Sequence, residues 1–244
     1  MLAHKQDISI WVFLVVMVSL PFFFVRFVPS SDLPQHLAQV RLFNDVLSGN
    51  ADRVYSIEWS GANALAYVFL DLNWKVFEPI ASGKAMMIEL VLAWVISTIV
   101  LARRLGRPTE SALLGSILVF NASFYWGFIN FLIGWPVFVA WYLAVVNKKE
   151  IQSPVRQVVY IFGLGVLLFA AHALWLAVGL LVLLVADIRH RISIRYLLLQ
   201  AGSLLPLGIY SLLWYNDLSS KRELLSFDTA AHWTTMPWER LGPG

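Results

Sequence analysis

An aspartate and a histidine stand four residues apart in the stretch VPSSDLPQHLAQV, residues 28–40. On a helix that spacing lets Asp32 and His36 point to one side. A carboxylate held in place can act as a base, and this one follows directly on a long apolar run. Its natural substrate would be lipid-borne, with the reactive head group at the membrane surface and within reach of the base. The same residues have plainer uses. Ser31 or Asp32 can cap a helix start, with Pro34 in the tolerant first turn. His36 can be an interfacial histidine with no catalytic duty. A third candidate, His172 in LLFAAHALW, interrupts another apolar run. An ionisable group there is a functional candidate by default, although a histidine at a turn can simply bond a free carbonyl.

The elements around these residues read as membrane helices. Of the 244 residues 59% are hydrophobic and 14% charged, with a mean hydropathy of +0.70. Soluble domains carry about 25% charged residues. Apolar runs recur from end to end, which predicts an all-α, polytopic helical bundle of about seven spans. The first span is expected over residues 8–27, and its bulky end, FFFVRFVPSSD, predicts a retained span rather than a cleaved signal. An outer loop follows over about 29–83. Within it Leu33, Leu37, Val40 and Leu47 form an apolar stripe ending at Gly49. Residues 63–80 are apolar but carry Asp71, Lys75 and Glu78 at i, i+4 and i+7, which predicts a helix on the outer membrane surface. A second span is expected at 84–101. The run 111–146 is too long for one crossing of about 20 residues, so it is divided near NASFYWG. The run 158–186 is divided near AAHA, and the seventh span covers 196–215 with Pro206 inside it. Residues 1–215 thus form one transmembrane module, followed by a polar outer tail, 216–244.

Charge orients this layout. With the N-terminus and the turns 103–110, 147–157 and 187–195 in the cytoplasm, the inner segments hold ten Lys and Arg against four acids. The outer segments hold eight against ten. That is the positive-inside pattern, and it puts the 29–83 loop on the periplasmic or luminal side. The pI near 9.2 comes from these short clusters, so nucleic acid is excluded as a partner. The absence of cysteine excludes disulfides, thiolate chemistry and Cys-based metal sites. No HExxH, Walker-A, GxGxxG or GxSxG motif is present.

A span, an outer D-x-P-x-H-L segment, an amphipathic surface helix and short hairpin spans together resemble the GT-C class of membrane glycosyltransferases, and more closely its bacterial members. The stretches YWGFINFLIGWPVFVAWYLAV, 125–145, and LLFAAHALWLAVGLLVLL, 167–184, resemble recurring segments of those proteins. The resemblance is diffuse and extends over the whole chain. It implies a multi-pass protein of the bacterial inner membrane, in contact with a polyprenyl-phosphate-linked sugar that it transfers to an outer acceptor. In that class a carboxylate of the first outer loop deprotonates the acceptor, and Asp32 is the matching position. Many members carry a second acid nearby, whereas Leu33 follows here. The residues themselves, not the resemblance, offer His36 and His172 as further catalytic candidates. The leaving phosphate needs cationic partners, for which Arg41, Lys84, Lys221 and Arg222 are the outer candidates, with Arg26 a further one. Each also reads as an ordinary snorkelling side chain. Metal use varies within the class, so a divalent metal stays open as a cofactor, and no ligand cluster stands out.

Two other functions compete with transfer. A transporter or lipid-handling protein would show internal repeats and broken midplane helices; no repeat is evident and the polar residues gather at one face. An inactive scaffold of the same class is the other. The tail, with His232, Trp233, Trp238, Glu239 and Arg240, suits membrane anchoring or carbohydrate contact. Its end at GPG, with no closing element, suggests the front part of a longer protein or a minimal module.

Overall fold

The structure is a computed structural model that describes residues 2–52, 55, 57, 61–146, 153–190 and 193–224. Among these residues all regular structure is α-helical, in ten helices. Three are long and apolar enough to cross a membrane: Pro79–Arg104, Pro154–Ala171 and Ile194–Ser220. Two shorter apolar helices, Ile10–Phe24 and Ile129–Val145, accompany them. The chain is therefore an all-helical protein compatible with a membrane. It divides into two compact units, 1–207 and 208–244.

In the first unit, α1 (Leu2–Phe24) turns Leu14, Val18 and Phe22 inward at steps of four, the expected stripe of a helix buried on one side. That face meets α4 (Pro79–Arg104), the central helix, whose Met86, Met87, Val91 and Val95 are fully buried. Burial of side chains this size contributes about 1.5–3 kcal/mol each relative to exposure in water. Around α4 also pack α3 (Ala64–Trp74), α5 (Thr109–Ile117) and α7 (Ile129–Val146). Outside α7 stand α8 (Pro154–Ala171) and α9 (Ala173–His190). Between α1 and α3 lies α2 (Leu33–Leu47), and α6 (Ala122–Trp126) is a single turn leading into α7. The last helix, α10, runs from Ile194 to Leu224.

Several expectations change. The run 111–146 divides close to the expected place, but α5 ends at Ile117 after nine residues, and the five-residue α6 follows a break at 118–121, within the expected turn. Asn121 supplies the new start, its side chain accepting from the Phe124 N–H. The surface helix expected over 63–80 is shorter, and its three-charge stripe does not form. Only Asp71 lies within α3; Lys75 caps its end, and Glu78 stands at the start of α4. At about 16 Å, α3 is too short to cross, and its Ala66 and Leu70 are buried in the core. In α2, Leu33 and Val40 are buried as the stripe requires, but Leu47 is exposed. The division at AAHA falls at His172, which is extended between α8 and α9. The polar tail begins as a continuation of α10 through Leu224, past the expected end at Tyr215; residues 225–244, with His232, Trp233, Trp238, Glu239 and Arg240, lie outside the described residues.

Four indoles tie the helices together. Trp94 donates to the Gly115 carbonyl at 3.1 Å, Trp141 to that of Gly179 at 2.8 Å and Trp175 to that of Phe131 at 2.8 Å, while Trp135 donates to the Thr98 hydroxyl at 3.0 Å. An indole brings a large apolar surface and one N–H that needs an acceptor, so each bond fixes helix register as well as packing.

Candidate functional site

Residues 25–32 leave α1 and run to α2. There the chain is clamped to the end of α6 through its backbone. Ser31 N–H donates to the Tyr125 carbonyl at 2.9 Å, and Asp32 N–H to the Trp126 carbonyl at 3.1 Å. Close approach is possible because Gly127 turns the chain with φ of +85°. A methyl group on Gly127 would lie 2.8 Å from the Asp32 nitrogen and 2.8 Å from Ser30 Oγ.

Asp32 occupies the N-cap position of α2, yet its side chain makes no capping bond. Among the described residues its carboxylate has neither a hydrogen bond nor an ion pair. It is half-buried. The plainer use, a helix cap, is not taken up.

His36, one turn on, is held at both ring nitrogens. Nε2 lies 3.1 Å from the Gly127 carbonyl, which can only accept, so Nε2 carries the proton. Nδ1 lies 2.7 Å from the Tyr67 hydroxyl on α3, and the two rings meet edge to face. That hydroxyl also meets the Gln39 side-chain amide. Burial holds the His36 imidazole below its ordinary value, outweighing the Gly127 carbonyl, the nearby Asp32 charge and Gln39, which all act the other way. A ring with both nitrogens engaged is not free to take a substrate proton. We therefore assign His36 as a positioning residue that joins α2 to α3 and to the α6–α7 turn. Tyr67 was missed in the sequence because a tyrosine 31 residues away gives no local signal.

Beside the clamp is a cavity of about 150 Å³ lined by Arg26, Phe27, Leu33, Pro34, Ile80 and Lys84, among others. Leu33 and Pro34 directly follow Asp32, so the cavity adjoins the segment that carries the carboxylate. Arg26 lies over the Phe27 ring, 5.4 Å from its centroid. Lys84 donates to the Val25 carbonyl at 2.7 Å, just past the end of α1. Both cations line this cavity, Lys84 with one of its donors already spent on that carbonyl. Arg41 does not: it is exposed and makes a loose 3.8 Å pair with Asp45, one turn along α2. Lys221 and Arg222 lie in α10 by backbone, and their side chains are outside the described residues.

His172 belongs to a different cluster. Its Nδ1 accepts the Leu174 N–H at 3.1 Å, capping α9, and its ring meets Phe131 edge to face at 5.8 Å. No hydrogen bond or ion pair among the described residues links it to Asp32 or His36. Among the described residues, no three His, Asp or Glu side chains gather as a metal-binding group. Glu89 accepts from Asn73 at 2.9 Å, well away from the clamp in sequence. Compared with protein-family models, curated proteins and solved structures, the chain matches none.

Proposed function

We propose that this chain is a GT-C-like membrane transferase that moves a sugar from a polyprenyl-phosphate carrier to an acceptor on the outer side of a bacterial inner membrane. The observation that carries the reading is the unbonded Asp32 carboxylate on a backbone-clamped segment beside Arg26 and Lys84. Asp32 takes the acceptor proton as the acceptor oxygen attacks the anomeric carbon, and the carrier phosphate leaves with the sugar's bonding pair. Arg26 and Lys84 receive the phosphate charge. His36 and Tyr67 hold the segment in register and take no proton. In this reading the chain crosses seven times, through α1, α4, the α5–α6 pair and each of α7 to α10, with the N-terminus and the arginine-bearing turns in the cytoplasm.

The test is transfer from a labelled polyprenyl-phosphate sugar by the purified chain. A positioned base contributes about 10²–10⁴ in rate, so Asp32→Asn should lose at least about a hundredfold while Arg41→Gln stays near wild type. Equal turnover by wild type and Asp32→Asn removes the base from the mechanism.

A further inference from the structure

The segment 25–34 borders two cavities that share no lining residue. One is the Arg26–Lys84 cavity. The other, of about 290 Å³, is lined by Phe22, Val25, Pro29, Phe120, Phe124 and Tyr125, among others. It is joined directly to the clamp: the Tyr125 carbonyl accepts the Ser31 N–H at 2.9 Å, one residue before Asp32. Phe124 meets Phe22, Phe120 and Tyr125 edge to face, with ring centres 6.1, 5.2 and 5.3 Å apart. Rings interlocked in this way give the cavity a fixed wall. A further apolar cavity, of about 270 Å³ between α3, α4, α7 and α8, has no such link, since none of its lining residues belongs to the segment or to α6.

The two cavities beside Asp32 differ in charge. Two cations line the first and, among the described residues, no charged side chain lines the second. In the transfer reading the carrier phosphate goes to the cations, which leaves the second cavity for the other substrate. A peptide or a soluble glycan would give up hydrogen bonds to water there and meet a wall of rings, prolines and a valine. An alkyl chain has no polar group to leave unmet. Such chains are also at hand. The cavity lies at the last turn of α1, the outer end of the expected first span, beside the exposed Phe23 and Phe24.

We infer that the acceptor is a hydroxyl-bearing membrane lipid whose chain lies in this cavity, with its head group at Asp32. The inference rests on the transfer reading and names its acceptor class. The lipid hydroxyl passes its proton to Asp32 and its oxygen forms the new glycosidic bond, while the carrier phosphate leaves with the electron pair of the old one.

The test uses the purified full chain in phosphatidylcholine nanodiscs, whose lipid has no free hydroxyl. A labelled polyprenyl-phosphate sugar is offered with monododecanoylglycerol or with glycerol. Transfer should go to the lipid, and to glycerol at least about tenfold less well. Val25→Phe pushes a ring into the cavity and should raise the KM for the lipid at least about tenfold, with the KM for the donor unchanged. Ala93→Leu narrows the α3–α4–α7–α8 cavity instead and should change neither. Photolabelling reads the site without turnover. A monoacylglycerol with a terminal diazirine should mark residues 21–25 or 120–125 in wild type and in Asp32→Asn, and lose that mark in Val25→Phe. Equal transfer to glycerol, a rise in the donor's KM rather than the lipid's in Val25→Phe, or a label found only elsewhere would each overturn the inference. Should Asp32→Asn turn over like wild type while the label stays in the cavity, the base assignment fails and the lipid site stands.

Discussion

Replacing Gly127 by alanine measures how tightly the Asp32 segment is held. Two costs add. A φ of +85° is unfavourable for alanine by about 1 kcal/mol. The new methyl would also lie 2.8 Å from the Asp32 nitrogen and from Ser30 Oγ. These are a backbone atom and a short side chain, so no flexible tip can move aside. Residues 30–32 must shift away from α6, breaking the bonds from Ser31 and Asp32 to the Tyr125 and Trp126 carbonyls. At about 1 kcal/mol for each bond, the substitution should cost about 3 kcal/mol in all. Gly49 isolates the two costs. Its φ is +73°, but nothing lies within 4 Å of an added methyl, so Gly49→Ala should cost only about 1 kcal/mol. Reversible unfolding in mixed micelles, followed by circular dichroism, reads both variants. If the two costs agree within about 0.5 kcal/mol, the clamp does not hold the segment and the positional argument for Asp32 fails.

Two further perturbations probe the neighbouring structure. A methyl on Gly134 would fall on the Trp175 indole, so Gly134→Ala must displace that ring and its bond to the Phe131 carbonyl; overpacking and the lost bond should together cost about 2–4 kcal/mol, and a cost near zero in the same unfolding assay refutes that packing. For His36, burial favours the neutral ring in the folded state, so the unfolded chain takes up the proton first as pH falls through about 6.5. The stability this group contributes is complete above that pH and is lost on acidification below it; His36→Gln should flatten the fall in unfolding free energy between about pH 7 and 5, and an unchanged slope contradicts the assignment.

What was legible in the sequence followed short-range rules. The start of α2 just before Pro34 and its end before Gly49 come from residues within a few positions of one another. The break at His172 was legible from the length of its apolar run. What failed depended on distant partners. The division of the 111–146 run near NASFYWG was legible from its length, but not the extra turn of helix, α6, that the Asn121 cap starts there. No local signal shows that Trp94, Trp135, Trp141 and Trp175 spend their N–H groups on neighbouring helices. Likewise the Asp32–His36 spacing suggested a catalytic pair. It could not reveal that Tyr67 and Gly127, from two other elements, occupy both imidazole nitrogens.

The contrast between those two residues bears on function. At a helix start, a side-chain cap contributes about 0.5–2 kcal/mol, and an acid there gains further from the helix dipole. Asp32 has the position for both but leaves the capping bond unmade. Its segment is held instead by backbone bonds and by the His36 strut, neither of which uses the carboxylate. A residue selected only to start α2 would make the cap, and serine or asparagine would serve as well. Rigid support around a free carboxylate is instead the arrangement a base requires, because the support fixes where the oxygens stand while leaving their lone pairs for a ligand. On this argument Asp32→Asn should leave the unfolding free energy within about 0.5 kcal/mol of wild type while transfer collapses. A large stability loss with intact transfer would make Asp32 a structural residue and leave the proposed reaction without its base.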